Sequence, residues 1–116
     1  AALRYADGLK NIESVKVPVF DRNDSTRHIF HLFVIQCECR EELMTYLNDH
    51  GVQCGIHYPV PVHLHRASKS LNIRIGKLSV VEMLSDKILS LPMFPEITDE
   101  QIDAVVNAIK RFYDKQ

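Results

Sequence analysis

An apolar run that ends at two prolines, Pro59 and Pro61, limits how the middle of the chain can fold. The run, residues 52–58, is predicted to form a strand. Proline fixes φ and lacks a backbone N–H donor, so the strand cannot continue through either proline. The backbone is therefore predicted to turn into a stiff, extended loop, a favoured place for binding residues. Three histidines lie along this stretch: His57, His63 and His65.

Side-chain alternation along the predicted strand separates His57 from Tyr58. Tyr58 lies on the apolar face of the predicted strand and is therefore predicted to lie in the core. His57 lies on the opposite, polar face. A polar, shallow face suits a ligand or another domain better than a packed core. Because imidazole can donate to or accept from a hydroxyl or a phosphate, His57 is the leading candidate for a functional residue. The alternative is that His57 only holds the loop in shape.

Strand and helix patterns alternate along the rest of the chain. Pro18 makes the run 14–20 an edge strand or an extended segment, whereas the run 28–37 is apolar on both faces and is predicted to be a central strand. A further short strand is predicted at 88–91. Helices are predicted at the N-terminus, at 40–50 with Gly51 as a left-handed C-terminal cap, from Ser79 onward, and at 99–113.

Residue chemistry marks two helix starts. Ser79 with Glu82, and Thr98 with Gln101, each form a predicted capping box. Two predicted hydrophobic staples flank these pairs: Leu78 with Met83, and Ile97 with Ile102. The last helix carries the clearest apolar stripe, which is predicted to be deeply buried: Ile102, Val105, Val106, Ile109, Phe112 and Tyr113.

The composition is that of a soluble globular protein and argues against two classes of partner. The chain has 116 residues, 46% of them apolar and 25% charged, enough for one modest core. A net charge of −1 argues against nucleic acid, and no apolar run is long enough to span a membrane. No signal peptide opens the chain, and three cysteines, an odd number, fit a reducing cytoplasm. The first residues already follow helical spacing, so we expect a fragment that begins inside a helix.

Cysteine and histidine spacing raises a metal site as an alternative. Four soft or borderline ligands could converge if their strands were adjacent: Cys37, Cys39, Cys54 and His57. Zinc sites usually draw on closely spaced pairs such as C-x2–4-C, whereas Cys54 and His57 would lie on opposite faces of one strand. We therefore predict small buried thiols rather than a metal centre.

Six segments, taken in order and spacing, have a known counterpart: Arg4-Tyr5, residues 31–35 (HLFVI), 40–43 (REEL), 55–65 (GIHYPVPVHLH), 89–98 (LSLPMFPEIT) and 98–101 (TDEQ). Together they resemble the C-terminal part of the DegT/DnrJ/StrS sugar aminotransferases. These are pyridoxal-phosphate (PLP) enzymes that aminate keto groups on nucleotide-linked sugars. The resemblance covers nearly the whole chain.

The resemblance implies an α/β (α+β) fold, a small antiparallel or mixed sheet with helices packed on one side. This is the C-terminal domain of the aspartate-aminotransferase fold, PLP fold type I. Residues 1–116 would be a single, truncated C-terminal small domain, with the large PLP-binding domain absent. The parent enzyme, a homodimer, would transfer an amino group, commonly from glutamate, to a nucleotide-linked keto-sugar in polysaccharide or amino-sugar biosynthesis. PLP would bind the parent and not this chain.

In the family the loop that contains Pro59 and Pro61, here called the proline loop, lies at the mouth of the active site. His57 and His63 are therefore predicted to bind the sugar nucleotide. The domain would contribute substrate recognition and cleft closure but no catalytic residue. His65 stands where the family usually has glutamine, and no role is carried over to it. Three arginines, whose simpler interpretation is solvated charge, could also meet phosphate: Arg4, Arg22 and Arg27. The alternative function is a self-standing α/β ligand-binding or regulatory module without enzyme activity.

The setting of the lysines predicts that this chain alone forms no covalent PLP adduct of meaningful affinity. Such a site needs a Schiff-base lysine and a phosphate cradle, and no lysine here lies in a Gly/Ser-rich phosphate-binding context. Micromolar PLP, followed by borohydride reduction and mass spectrometry, should show no saturable modification. Stoichiometric trapping on one specific lysine would contradict the prediction.

Overall fold

The computed structural model describes residues 1–21, 28–70 and 78–115. Within them the chain forms strands β1 (Val15–Lys16), β2 (Phe33–Cys37) and β3 (Ile88–Leu91), and helices α1 (Ala2–Leu9), α2 (Arg40–Asp49), α3 (Arg66–Ser70), α4 (Ser79–Ser85) and α5 (Asp99–Tyr113). The strands form one antiparallel sheet in the order β1–β2–β3. The expected mixed fold, with a small antiparallel sheet and helices, is confirmed. None of the described helices is long and apolar enough to cross a membrane.

The pairing of β2 with β3 gives the sheet a buried face and an opposite face. Ile35 lies opposite Leu89, and both side chains are buried beneath the helices. Val34 lies opposite Ser90 in the same register, so these two residues share the other face. β1 adds only a short edge, as Pro18 predicted.

Helix α1 packs on the buried face through Tyr5. The ring of Tyr5 stacks on that of Phe33 with centroids 5.1 Å apart, and its hydroxyl donates to the carbonyl of Pro92 at 2.9 Å. Burial raises the pKa of the Tyr5 hydroxyl, so it stays a donor. Residues of α1, α2, α5 and the sheet form one buried apolar cluster, which includes Tyr5, Leu9, Phe33, Ile35, Leu43, Leu47, Leu89, Ile102 and Ile109.

Helix α5 confirms the predictions for its start and its buried stripe. The Thr98 hydroxyl accepts the N–H of Gln101 at 3.2 Å, and the Gln101 side chain accepts the N–H of Thr98 at 2.9 Å. Arg4 of α1 pairs with Asp99 at 3.0 Å and with Asp103 at 2.6 Å, and it lowers the pKa of the Asp103 carboxyl. The stripe faces the core, where four residues are buried and two half-buried: Ile102, Val105, Val106 and Ile109, then Phe112 and Tyr113.

The start of α4 differs from the predicted capping box. Leu78 holds the N-cap position and Ser79 is already helical, so the serine hydroxyl does not cap the helix. The Glu82 carboxylate does accept the N–H of Leu78, at 3.1 Å, but it also contacts His63 at 3.1 Å. Leu78 and Met83, the predicted staple, are both exposed. The sequence pattern located this helix. For Glu82 it predicted a bond to the helix start but not the contact with His63.

The prediction of a strand over residues 52–58 is wrong. The segment pairs with β3 at a single bridge, where Gly55 donates to the carbonyl of Ser90 at 3.1 Å and accepts its N–H at 2.7 Å. Continued pairing would place Gln53 opposite Pro92, which has no N–H to offer. Tyr58, predicted to lie in the core, is 74% exposed because the alternation ends with the pairing.

Two other predicted strands are shorter than their apolar runs. The run 28–37 forms its central strand only from Phe33, since Phe30 adopts a positive φ of 48° that interrupts an extended backbone. The run 14–20 pairs only at Val15–Lys16, and Val19 is fully exposed. Predicted helix 40–50 forms as α2, and Gly51 takes the expected left-handed conformation with φ of 76°.

The three cysteines are free thiols in different surroundings. Cys37 is buried, Cys54 is half-buried and Cys39 is exposed. Burial raises the pKa of the Cys37 and Cys54 thiols to about 11. Among residues 1–21, 28–70 and 78–115, no three His, Cys, Asp or Glu side chains are grouped so that they could hold a metal ion.

Ile109→Ala should destabilise the chain by ~2–5 kcal/mol, the usual cost of truncating a buried isoleucine. Ile109 is 0% exposed in the core. Chemical denaturation of the purified chain measures the free energy of unfolding. Asn107→Ala, on the exposed side of the same helix, is the control and should change stability by less than ~0.5 kcal/mol. A similarly small effect of Ile109→Ala would place the stripe outside the core.

Iodoacetamide at pH 8 should modify Cys39 well before Cys37 or Cys54. The thiolate is the nucleophile, and thiols whose pKa is raised to about 11 remain protonated at pH 8. Their modification should increase only as the pH approaches 11, or when the chain unfolds. Peptide mass spectrometry follows each site, and reaction in denaturant, where all three thiols are accessible, is the control. Rapid modification of Cys37 in the folded chain would contradict the burial.

Candidate functional site

The proline loop, residues 56–65, leaves the sheet after Gly55 and is held by its own hydrogen bonds. A single 3-10 turn spans Val62–Leu64. The His65 Nε2 lies 3.1 Å from the carbonyl oxygen of Val60, and the Ser68 hydroxyl donates to the carbonyl of Val62 at 2.5 Å. His65, to which the sequence assigned no role, therefore holds the loop in shape.

His57 is hydrogen-bonded to Ser90 on the sheet face opposite the core. The two atoms, His57 Nδ1 and Ser90 Oγ, are 2.9 Å apart. Ser90 is 4% exposed, while His57 is exposed. The peptide bond from His57 to Tyr58 is cis, and the two rings meet edge to face with centroids 5.5 Å apart. The exposed imidazole is thus fixed to a buried hydroxyl of β3.

Gly55 leaves the space that the imidazole needs. A Cβ at this position would lie 3.0 Å from Cε1 of His57 and 3.7 Å from its Nδ1. The ring therefore lies directly against the Gly55 backbone, next to the bridge that this glycine makes with Ser90. A side chain at position 55 would crowd the ring at Cε1.

His63 has a different partner and a different environment. Its Nε2 lies 3.1 Å from Oε1 of Glu82 on α4, and its side chain is only 9% exposed. The contact attaches the proline loop to α4, whereas His57 attaches it to the sheet. The structure thus places both predicted substrate-binding histidines in one loop but gives them separate anchors.

The free side of His57 can meet a polar ligand. Its Nε2 makes no hydrogen bond to any residue that the structure describes, and the ring is exposed. Ser90 is too buried to act as a nucleophile, so the pair is suited to binding and not to covalent chemistry. The same loop carries four exposed apolar side chains: Tyr58, Val60, Val62 and Leu64.

The arginines considered for phosphate do not join this site. Arg4 pairs with Asp99 and Asp103 of α5 and not with a residue of the proline loop. Arg22 and Arg27 lie outside the described residues.

Sequence reasoning missed three residues of the site. They are the residues that support the two histidines: Gly55, Glu82 and Ser90. Ser90 carried a signal, because it is the one polar residue in the apolar run 88–91 and a buried hydroxyl requires a partner. Nothing in the sequence identified that partner as His57.

Known proteins resemble this chain over nearly its full length. The model of the DegT/DnrJ/EryC1/StrS aminotransferase family matches residues 1–110. The erythromycin biosynthesis sensory transduction protein EryC1 of Saccharopolyspora erythraea is 38% identical over 109 residues, 94% of this chain and 29% of that protein. The dTDP-3-amino-3,4,6-trideoxy-alpha-D-glucose transaminase of Streptomyces venezuelae is 32% identical, over 98% of this chain and 30% of that protein.

Solved structures share the fold. S. venezuelae DesV, in complex with a ketimine intermediate, matches 96% of this chain and 29% of its own with a TM-score of 0.85 and 32% identity. NtdA from Bacillus subtilis, with bound cofactor PMP, matches 99% of this chain and 27% of its own with a TM-score of 0.80 and 30% identity. The chain therefore spans about 30% of the length of the relatives it matches. On the match over residues 1–110, the chain belongs to the DegT/DnrJ/EryC1/StrS aminotransferase family.

Proposed function

We propose that this chain is the C-terminal small domain of a PLP-dependent aminotransferase that acts on nucleotide-linked keto-sugars. Two kinds of observation support the proposal. A relative that is 32% identical is named as a transaminase of a dTDP-linked amino sugar, and a structural neighbour that is 30% identical was solved with bound PMP. In this proposal the enzyme is a cytoplasmic homodimer, its amino donor is glutamate, and residues 1–116 form a single domain.

The described residues of this chain do not themselves fit a PLP site. Lys10 lies 3.8 Å from Asp7, and Lys87 pairs with Glu38 at 2.7 Å. Lys16, Lys110 and Lys115 are exposed. A Schiff-base lysine needs instead a desolvated setting beside a phosphate cradle. We therefore assign the cofactor to a part of the enzyme outside this chain and derive no chemical step from these residues.

The contribution of this domain is substrate recognition through His57. The imidazole is exposed, one nitrogen is held by Ser90, and the other is free of described partners. Nucleotide-linked sugars present hydroxyl, keto and phosphate oxygens, all of which can hydrogen-bond an imidazole. A fixed ring loses less conformational entropy on binding than a mobile one, so this anchoring favours affinity.

His63 would act on the substrate mainly through the position of the loop. Its ring is nearly buried and its Nε2 is occupied by Glu82, which leaves Nδ1 for a ligand. Direct contact between His63 and the sugar nucleotide stays a prediction.

Cleft closure is the second proposed contribution. Four side chains of the proline loop are apolar and exposed, which is the kind of surface that a second domain or a ligand covers. Closing this surface over the sugar nucleotide would exclude water from the reacting groups.

His57→Ala in the full-length enzyme should lower kcat/KM for the sugar nucleotide by roughly ten- to a hundredfold. Loss of one hydrogen bond to a charged partner costs ~1.5–3 kcal/mol, which corresponds to that change. Steady-state kinetics with a keto-sugar nucleotide, such as a dTDP-linked keto-sugar, measures the effect. The half-reaction with the amino donor alone, followed by stopped-flow absorbance, should be nearly unchanged because the proposed contact of His57 is with the sugar nucleotide.

His50→Ala is the matched control for this experiment. His50 is also exposed, and its Nδ1 lies 2.7 Å from the Tyr46 carbonyl oxygen, at the end of α2 rather than in the proline loop. Its removal should leave the sugar half-reaction unchanged. Normal sugar kinetics for His57→Ala, together with a lower melting temperature, would make His57 a structural residue and refute the substrate contact.

A further inference from the structure

We propose that Ser90 is a positioning residue that fixes the tautomer of His57, so that the imidazole presents an N–H donor at Nε2. The substrate would then contribute an acceptor oxygen at this point. The identity of the ligand rests on the proposed function, whereas the tautomer follows from the geometry of the chain alone.

The hydrogen-bond partners of Ser90 support this tautomer of His57. Its backbone N–H donates to the Gly55 carbonyl at 2.7 Å and its carbonyl accepts the Gly55 N–H at 3.1 Å, so the main chain has its own partners. Its hydroxyl lies 2.9 Å from His57 Nδ1 and makes no other hydrogen bond to a described residue. Ser90 is 4% exposed, so water cannot readily replace a missing partner.

A buried hydroxyl donor without an acceptor is costly, and this decides the direction of the bond. Within the described residues, the only acceptor for the Ser90 proton is the lone pair of His57 Nδ1. If Nδ1 instead carried the ring proton and donated to Ser90 Oγ, the hydroxyl proton would have no acceptor. The geometry therefore places the Ser90 proton on the bond to Nδ1 and the ring proton on Nε2.

The neighbouring residues hold Ser90 and the His57 imidazole in their relative positions. Ser90 is held on both sides of its strand, by Val34 of β2 and by the bridge to Gly55. The imidazole lies against Gly55, where a Cβ would be only 3.0 Å from its Cε1. The ring thus packs close to the Gly55 backbone while its Nδ1 bonds Ser90, which leaves Nε2 on the side away from Ser90.

A fixed N–H donor makes the site selective for oxygens that accept. A keto oxygen and a phosphate oxygen are acceptors only, and both occur on nucleotide-linked keto-sugars. A ligand group that can only donate, such as an ammonium, would meet the N–H directly and be disfavoured.

Nitrogen NMR of the 116-residue chain tests the tautomer without any ligand. Long-range proton–nitrogen correlation at about pH 8.5, where an ordinary imidazole is neutral, shows which ring nitrogen carries the proton. His57 should be protonated at Nε2. A ring protonated mainly at Nδ1 would overturn the proposal, whatever the kinetics show.

Variants of Ser90 test whether the hydroxyl is the cause. Ser90→Ala should shift the tautomer ratio of His57 by about three- to tenfold, the equivalent of one net hydrogen bond. Ser90→Thr keeps the hydroxyl, so it should retain the wild-type tautomer even if the added methyl lowers the melting temperature. Ser85→Ala is the matched control, because Ser85 is also buried but donates to the Glu82 carbonyl at 2.7 Å. An unchanged ratio in a folded Ser90→Ala chain would overturn the assignment.

Kinetics of the full-length enzyme separates this proposal from the proposed function. Ser90→Ala should lower kcat/KM for the keto-sugar nucleotide by several-fold, and Ser90→Thr should restore most of it. Inhibition by dTDP, which has the phosphates but lacks the keto-sugar, distinguishes the acceptors, since its inhibition constant rises in Ser90→Ala only if phosphate is the partner. If the tautomer is at Nε2 but His57→Ala has normal kinetics, the substrate role fails and the tautomer assignment stands. If His57→Ala is impaired but the ring is protonated at Nδ1, the tautomer assignment fails and the substrate role stands.

Discussion

The antiparallel pairing of β2 with β3 is the contact on which both the core and the candidate site depend. Because successive residues of a strand point to opposite faces, one register decides the position of both. Leu89 and Leu91 are directed towards the helices, and Ser90 between them is directed to the other face. A shift of one residue would bury the serine among apolar side chains and turn the leucines outward. The burial of those leucines therefore also fixes the position of Ser90.

Two anchors then hold the proline loop against this frame. His57 joins it to Ser90 on the sheet, and His63 joins it to Glu82 on α4. Neither anchor is a strong interaction alone, but together they define the position of a segment that has few main-chain partners of its own. The Nε2 nitrogen of His57 is exposed on this loop, which also carries four exposed apolar side chains.

The start of α5 could be predicted from the sequence because its signal is local. The capping box at Thr98 and Gln101 satisfies N–H groups within a few residues, so its sequence signature was sufficient to locate the start of α5. The segment 52–58 was not predictable in this way, since an apolar alternating run pairs only where a neighbouring strand offers donors and acceptors. Pro92 lacks the N–H donor that continued pairing would need, so the segment keeps a single bridge at Gly55.

The sequence by itself determined the stripe of α5, the sharp end of the apolar run before Pro59, and the candidacy of His57. Each of these follows from residue chemistry or from spacing along one element, which folding does not alter. Only the tertiary structure decided which groups His57 and His63 meet. Ser90 lies 33 residues from His57, and Glu82 lies 19 residues from His63. Contacts across such separations depend on sheet register and helix packing, and no local pattern in the chain encodes them.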